Sequence, residues 1–227
     1  MLIHFLFWGF YAHRLLNNLA IYALPSAMIS FYQQEEVFIT EHAVDPDKRR
    51  YASPFEAARH YIDFEKYGSA PYDSLPSTYT DAIFKYHTMY LIQQTDTIYY
   101  KKEQQEMPGY RELFRHLIAP KLPDGEWKMP GDSLFSLLPP HLERDGTFFF
   151  SDDLNGHGIL PWHLFRMQRR LTDAFIKKDK SRILQLSAEI GHYIGDAHVP
   201  LHTTQNYNGQ LTEQTGIHAL WESHIPI

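Results

Sequence analysis

Ser181-Arg-Ile-Leu-Gln-Leu-Ser-Ala-Glu-Ile-Gly-His-Tyr-Ile-Gly-Asp-Ala-His198 is the stretch from which the fold is read. Apolar residues recur along it at three- and four-residue intervals, the period of a half-buried helix, and Pro200 stops the run. On the helical wheel Ala188, Gly191, His192, Gly195 and Asp196 share one side. An imidazole and a carboxylate four residues apart therefore stand one above the other, among residues too small to keep a neighbour away. That face is expected to be approached closely.

Working outward, Leu164, Met167, Leu171, Ala174 and Phe175 give a helical stripe between Pro161 and Lys178. Ala12, Leu15, Leu16, Leu19, Ala20, Ala23 and Leu24 give another that ends at Pro25 and carries His13 in its first turn. A helix is expected from Ser26 to about Val44, ending before Asp45-Pro46 because a residue preceding proline is pushed out of the helical region. Ser53-Pro54-Phe55-Glu56 is a capping-box pattern with proline at the first helical position, and it predicts a short helix that carries His60. Ser77 to about Tyr100 reads as helical, Met107 to Gly158 is rich in Pro and Gly and gives no clear pattern, and Ile217 to Glu222 reads as the start of a last helix. Internal repeats, low-complexity linkers and period-2 strands do not stand out. The expected class is all-α, one domain over residues 8–227.

Composition agrees. A chain of 227 residues suits one domain and argues against three. With 44% hydrophobic residues, including 15 Tyr, 15 Phe and 4 Trp, it can bury a core, and 21% charged residues exclude a disordered acidic or basic tail protein. A net charge of −6 offers no excess of cations for holding long nucleic acid or an anionic membrane, so any contact with a polyanion must be local. No run approaches the length of a membrane span, and Met1-Leu-Ile-His-Phe-Leu-Phe7 is the longest apolar opening. The absence of Cys excludes disulfides, thiolate zinc sites, iron–sulfur clusters and Cys nucleophiles. The outlier is 14 His, five of them between His192 and His224.

His192-Tyr-Ile-Gly-Asp196 recurs in kind as His218-Ala-Leu-Trp-Glu222, with His202 between them. One such pair is an ordinary contact along a helix. Two of them joined by a histidine supply the nitrogen and oxygen donors that Zn²⁺ takes from rigid elements. With these spacings, with Trp8-Gly-Phe-Tyr-Ala-His13, with Asp45 in Val-Asp-Pro-Asp-Lys and with His60 in Arg-His-Tyr-Ile-Asp, the chain resembles the superfamily of zinc-dependent phospholipases C and single-strand-specific nucleases.

The resemblance implies a helical domain with three zinc ions at the bottom of a cleft. Asp45, His60, His192 and Asp196 would hold one ion, and Asp196 would bridge to a second bound by His13 and by the backbone of Trp8. His202, His218 and Glu222 would hold the third. It also implies that residues 1–7 are the remnant of a signal peptide, that the protein is secreted or periplasmic, and that the C-terminal helix is cut short by family standards. Asp45 would steer the attacking water, Lys48 would stand beside the phosphate, and Tyr61 and Asp63 would stack on and hydrogen-bond a base. Read without the family, Lys48-Arg49-Arg50 is a solvated basic run, Tyr61 a core residue and Asp63 a cap. The expected activity is phosphodiester hydrolysis, on single-stranded nucleic acid or nucleotide 3′-phosphates ahead of phospholipid, with no stable protein partner. A zinc-binding helical protein without catalysis is the alternative.

Overall fold

A computed structural model describes residues 8–100, 109–121, 127–130 and 146–223. The chain is mostly helical, and no helix among the described residues is long and apolar enough to cross a membrane. Where the sequence reading has one helical domain over 8–227, the structure has two compact units, Met1–Ser69 with Gly158–Ile227 and Ala70–His157. The expected signal-peptide remnant lies outside the described residues.

The first unit contains α1 (Trp8–Tyr22), α2 (Ser26–Gln33), α3 (Glu36–Glu41), α4 (Asp45–Arg49), α5 (Pro54–Ala57), α8 (Leu160–Ile176), α9 (Lys180–Ala197) and α10 (Ile217–Ser223). The last three fall where periodicity puts them. Lys178, in the left-handed region at φ 54°, turns the chain between α8 and α9. The Asp179 carboxylate then caps α9 by accepting from the Arg182 N–H at 3.0 Å. Ile183, Leu184, Leu186, Ala188 and Tyr193 of α9 pack with Leu160, Met167 and Ala174 of α8 and with Ile21, Tyr32 and Ile39 in one buried cluster.

The helix expected over Ser26–Val44 is three pieces. It breaks at Gln34-Glu35, and after α3 a 3₁₀ turn at His42–Val44 leads straight into α4, which has Pro46 in its first turn. Proline is admitted there because a first-turn N–H has no partner inside the helix. The stripe of α1 is also corrected: Leu15, Leu16 and Leu19 lie at the surface, while Asn17 and Ile21 face the core. His60 lies just past α5, which ends at Ala57.

The second unit corrects the all-α expectation. The helix expected from Ser77 to Tyr100 stops at Tyr86 as α6 (Tyr79–Tyr86), and β1 (His87–Gln93) and β2 (Asp96–Tyr99) follow. After α7 (Tyr110–Leu113), β3 (Trp127–Pro130) and β4 (Thr147–Asp152) complete an antiparallel sheet in the order β2-β1-β4-β3. His87, Met89 and Leu91 are buried on one face of β1, where Met89 pairs with Phe150 and Leu91 with Phe148. His87, with no partner in the sequence, is a satisfied core histidine, hydrogen-bonded to the Phe84 carbonyl and the Tyr110 hydroxyl.

Candidate metal centre

The small residues of α9 meet α1. A Cβ on Gly191 would lie 2.0 Å from Asn17 Oδ1, and one on Gly195 would lie 3.1 Å from His13 Nδ1. Asn17, buried on α1, donates to the Ala188 carbonyl at 2.9 Å and to the Ile39 carbonyl at 3.3 Å, which ties α1, α3 and α9 together. This close contact stacks the His13 ring on His192, with centroids 3.8 Å apart. Opposite, the turn after α5 is pinned to the segment after α9: the Ile62 N–H donates to the His202 carbonyl at 2.9 Å, and His202 Nδ1 to the His60 carbonyl at 2.6 Å.

Asp196 is the hub. Its Oδ2 lies 2.9 Å from His60 Nδ1 and 3.4 Å from His192 Nε2, and its Oδ1 lies 3.4 Å from His13 Nε2. Asp47 Oδ1 adds a second carboxylate, 3.9 Å from His60 Nδ1 and 3.8 Å from His192 Nε2. Burial raises the Asp196 carboxyl, but hydrogen bonds from His13 and His60 outweigh it and hold the group well below the usual carboxylate range. Burial likewise drives the Asp47 carboxyl up, against the charges of His60 and His13. Burial pushes the His192 ring well down, against the pull of Asp196, so it stays neutral.

The second cluster is built by α10 and the 3₁₀ turn Pro200–Thr203. Glu222 Oε1 lies 2.7 Å from His202 Nε2 and 3.0 Å from His218 Nε2. Burial would raise Glu222 and lower His202; their mutual hydrogen bond outweighs both, leaving Glu222 near about 2 and His202 near about 9.

Three rings share one arrangement. His192 Nδ1 donates to the Ala43 carbonyl at 2.9 Å, His202 Nδ1 to the His60 carbonyl at 2.6 Å and His218 Nδ1 to the Tyr207 carbonyl at 3.0 Å. A backbone carbonyl only accepts, so Nδ1 carries a hydrogen in each ring and Nε2 is the atom left turned to carboxylate oxygens. A proton or a metal cation can lie between such a nitrogen and a carboxylate, and an Nδ1–H held by a carbonyl is the outer support that metal-ligating histidines carry. His13, His192 and Asp196, then Asp47, His60 and His192, and separately His202, His218 and Glu222, each bring donor atoms close enough to share one metal ion. No family model, curated protein or solved structure matches this chain.

Of the residues singled out in the sequence, His13, His60, His192, Asp196, His202, His218 and Glu222 are brought into these clusters. Asp45 is not. Its carboxylate accepts from Lys48 Nζ at 2.9 Å and lies 2.5 Å from His42 Nδ1, and Asp47, one turn-face away across Pro46, takes the place facing His60 and His192. The pairing also engages Lys48, whereas Arg50 Nη1 lies 3.6 Å from Asp47 Oδ1, beside the cluster. Trp8 opens α1, five residues before His13. Tyr61 is partly buried, and burial raises its hydroxyl, with Asp63 and Tyr207 adding to the effect and Arg50 opposing it. Asp63 precedes the 3₁₀ turn Phe64–Lys66 without capping it through its side chain. Sequence reasoning missed Asp47, Arg50 and Tyr207; the last is 55% exposed, with its ring 6.0 Å from His218. The Asp-Pro-Asp repeat was the available signal for the first.

Proposed function

We propose that this chain is a zinc-dependent phosphodiester hydrolase. The observation that carries the reading is the shared arrangement of His192, His202 and His218, each with Nδ1 spent on a carbonyl and Nε2 turned to a carboxylate. The donor set is nitrogen and oxygen without thiolate, which suits Zn²⁺. Asp47, His60, His192, Asp196 and His13 would hold ions on one side and His202, His218 and Glu222 another, up to three in all. Bound there, zinc supplies Lewis acidity: it withdraws charge from phosphate oxygens and brings the ionisation of water toward neutral pH.

The chain's own groups supply the rest. Asp196 divides its two oxygens between His60 with His192 and His13, the disposition of a bridging carboxylate. Arg50 offers the cation that the sequence reading sought at Lys48, next to Asp47 and Tyr61. Tyr61, directly after His60, and the exposed Tyr207 beside His218 provide faces on which bases can stack, and Asp63 a carboxylate to accept from a base edge. These favour single-stranded nucleic acid or nucleotide 3′-phosphates, since a paired base cannot reach the rings.

One observation favours a second reading. A cavity of 330 Å³ opens beside His13, Asp196 and Glu222, with Ala12, Leu16, Ile194, Val199 and Trp221 for walls. Such walls suit an alkyl chain, as a phospholipase C would need. Zinc-loaded protein assayed on single-stranded DNA and RNA, on nucleotide 3′-phosphates and on phosphatidylcholine vesicles decides. Cleavage of the nucleic acids is expected, cleavage of the lipid alone selects the second reading, and zinc uptake with no turnover of any phosphodiester leaves a non-catalytic zinc protein.

A further inference from the structure

His60 has a second nitrogen that the cluster does not use. Nδ1 faces Asp196 and His192, whereas Nε2, on the far edge of a ring that is 2% exposed, has no hydrogen-bond partner. Glu56 Oε1 lies 3.8 Å from it. Glu56, on α5 and 1% exposed, is itself held from several sides. The Tyr193 hydroxyl donates to Oε1, Arg59 Nη1 to Oε2 at 2.5 Å, and Arg49 reaches both oxygens, at 3.4 and 3.5 Å. Two carboxylate oxygens offer about four acceptor positions, and these four donors fill them, but the Arg49 Nη2 contact to Oε1, at 3.5 Å, is long enough to give way to a closer donor.

The position of one proton links the two residues. Next to the Asp196 carboxylate at 2.9 Å, Nδ1 carries its hydrogen in a hydrogen bond. A nitrogen that bears a hydrogen has no lone pair for a cation. To ligate through Nδ1 the ring must carry its proton on Nε2, and a buried N–H without an acceptor costs about 1–3 kcal/mol. A shift of about 1 Å would bring Nε2 and Oε1 to hydrogen-bonding distance. We infer that Glu56 is a positioning residue of the metal centre: it accepts the Nε2–H of His60 and so holds the ring in the form whose Nδ1 lone pair faces Asp47, His192 and Asp196. Metal-ligating histidines are commonly oriented by a carboxylate in this way. The inference rests on the metal-binding reading above.

The test uses full-length wild type, Glu56→Gln and Tyr193→Phe, stripped with chelator and titrated with Zn²⁺ against a chromogenic chelator. Zinc-loaded wild type labelled with ¹⁵N-histidine is followed by long-range ¹H–¹⁵N NMR. His60 should show Nε2–H and a metal-shifted Nδ1. Glu56→Gln should weaken the zinc equivalent held by His60 about 10–100-fold. It should leave the equivalent held by His202, His218 and Glu222 unchanged, which also reports an intact fold. Tyr193→Phe removes a neighbour of Glu56 but not the carboxylate, and should keep both affinities at the wild-type level; a merely structural Glu56 would make the two variants alike. Unchanged zinc affinity in Glu56→Gln, or Nδ1–H on His60 in the loaded wild type, overturns the role of Glu56 and leaves the zinc centre standing. Wild type that takes up no zinc overturns both. If Glu56→Gln does not fold, the wild-type NMR signature decides alone.

Discussion

Asp47 Oδ1 lies 3.9 Å from His60 Nδ1, with the two side chains brought together from α4 and from the turn after α5. Asp45, two residues earlier, is occupied by His42 and Lys48. If Asp47 is the ligand, Asp47→Asn loses a zinc equivalent that Asp45→Asn retains, because an amide is a weaker and neutral donor. Metal analysis of the two purified variants reads this directly. The reverse pattern would return the ligand role to Asp45.

Asp196→Asn should be the most damaging conservative change in the centre. Each carboxylate oxygen serves a different group of histidines, so one substitution weakens two ion positions together. The fall in affinity should exceed the ~10–100-fold of a change outside the ligand shell. The group at His202, His218 and Glu222 should keep its ion. Asp63→Asn should leave zinc content intact and alter only the choice of substrate. Equal metal loss in both variants would contradict this division.

The α1–α9 contact predicts an asymmetry between glycines. A methyl at Gly191 would meet Asn17 Oδ1 at 2.0 Å, and Asn17 cannot withdraw without giving up its hydrogen bonds to Ile39 and Ala188. Overpacking of this kind costs about 1–3 kcal/mol, or about 2–4 °C in Tm for each kcal/mol in a chain of this size. A Cβ on Gly156 meets nothing within 4 Å. Gly156→Ala should therefore leave Tm unchanged while Gly191→Ala lowers it, and equal melting of the two would refute the packing account.

What the sequence made legible was local. Helices α8, α9 and α10 follow from apolar spacing and their stops, and the i,i+4 pairs His192/Asp196 and His218/Glu222 lie where helical geometry puts them. The sheet was not legible, because β1 pairs with β4 across more than fifty residues and Tyr90, Leu91 and Ile92 suit a strand or a buried helix equally. The orientation of α1 was misread for a related reason. Its outward Leu15, Leu16 and Leu19 look like a core stripe, whereas the buried side is set by Asn17, which meets Gly191 and donates to the carbonyl of Ala188, 171 residues away in the chain. Asp45 and Asp47 differ only in which way a proline-initiated turn points them, and spacing does not encode that.

The His202–Glu222 pair carries a pH signature in metal-free protein. The His202 pKa is raised from 6.5 to about 9, so its contribution to stability is full below pH 6.5 and is lost as pH rises through about 9. The Glu222 pKa is depressed from 4.5 to about 2, so its contribution is full above pH 4.5 and is lost as pH falls through about 2. The stabilisation from the pair is therefore greatest between about pH 4.5 and 6.5. Burial holds His163 at about 2, so unfolding takes up a proton there and both wild type and variant weaken as pH drops below 6.5. The pair is isolated by difference: the gap in unfolding free energy between wild type and Glu222→Gln, both stripped of metal, should be widest in that window and narrow toward pH 9 and toward pH 2. Denaturant titrations at a series of pH values measure it. A gap that does not change with pH would show that the two side chains are not ion-paired without metal, and would count against the geometry of the second cluster.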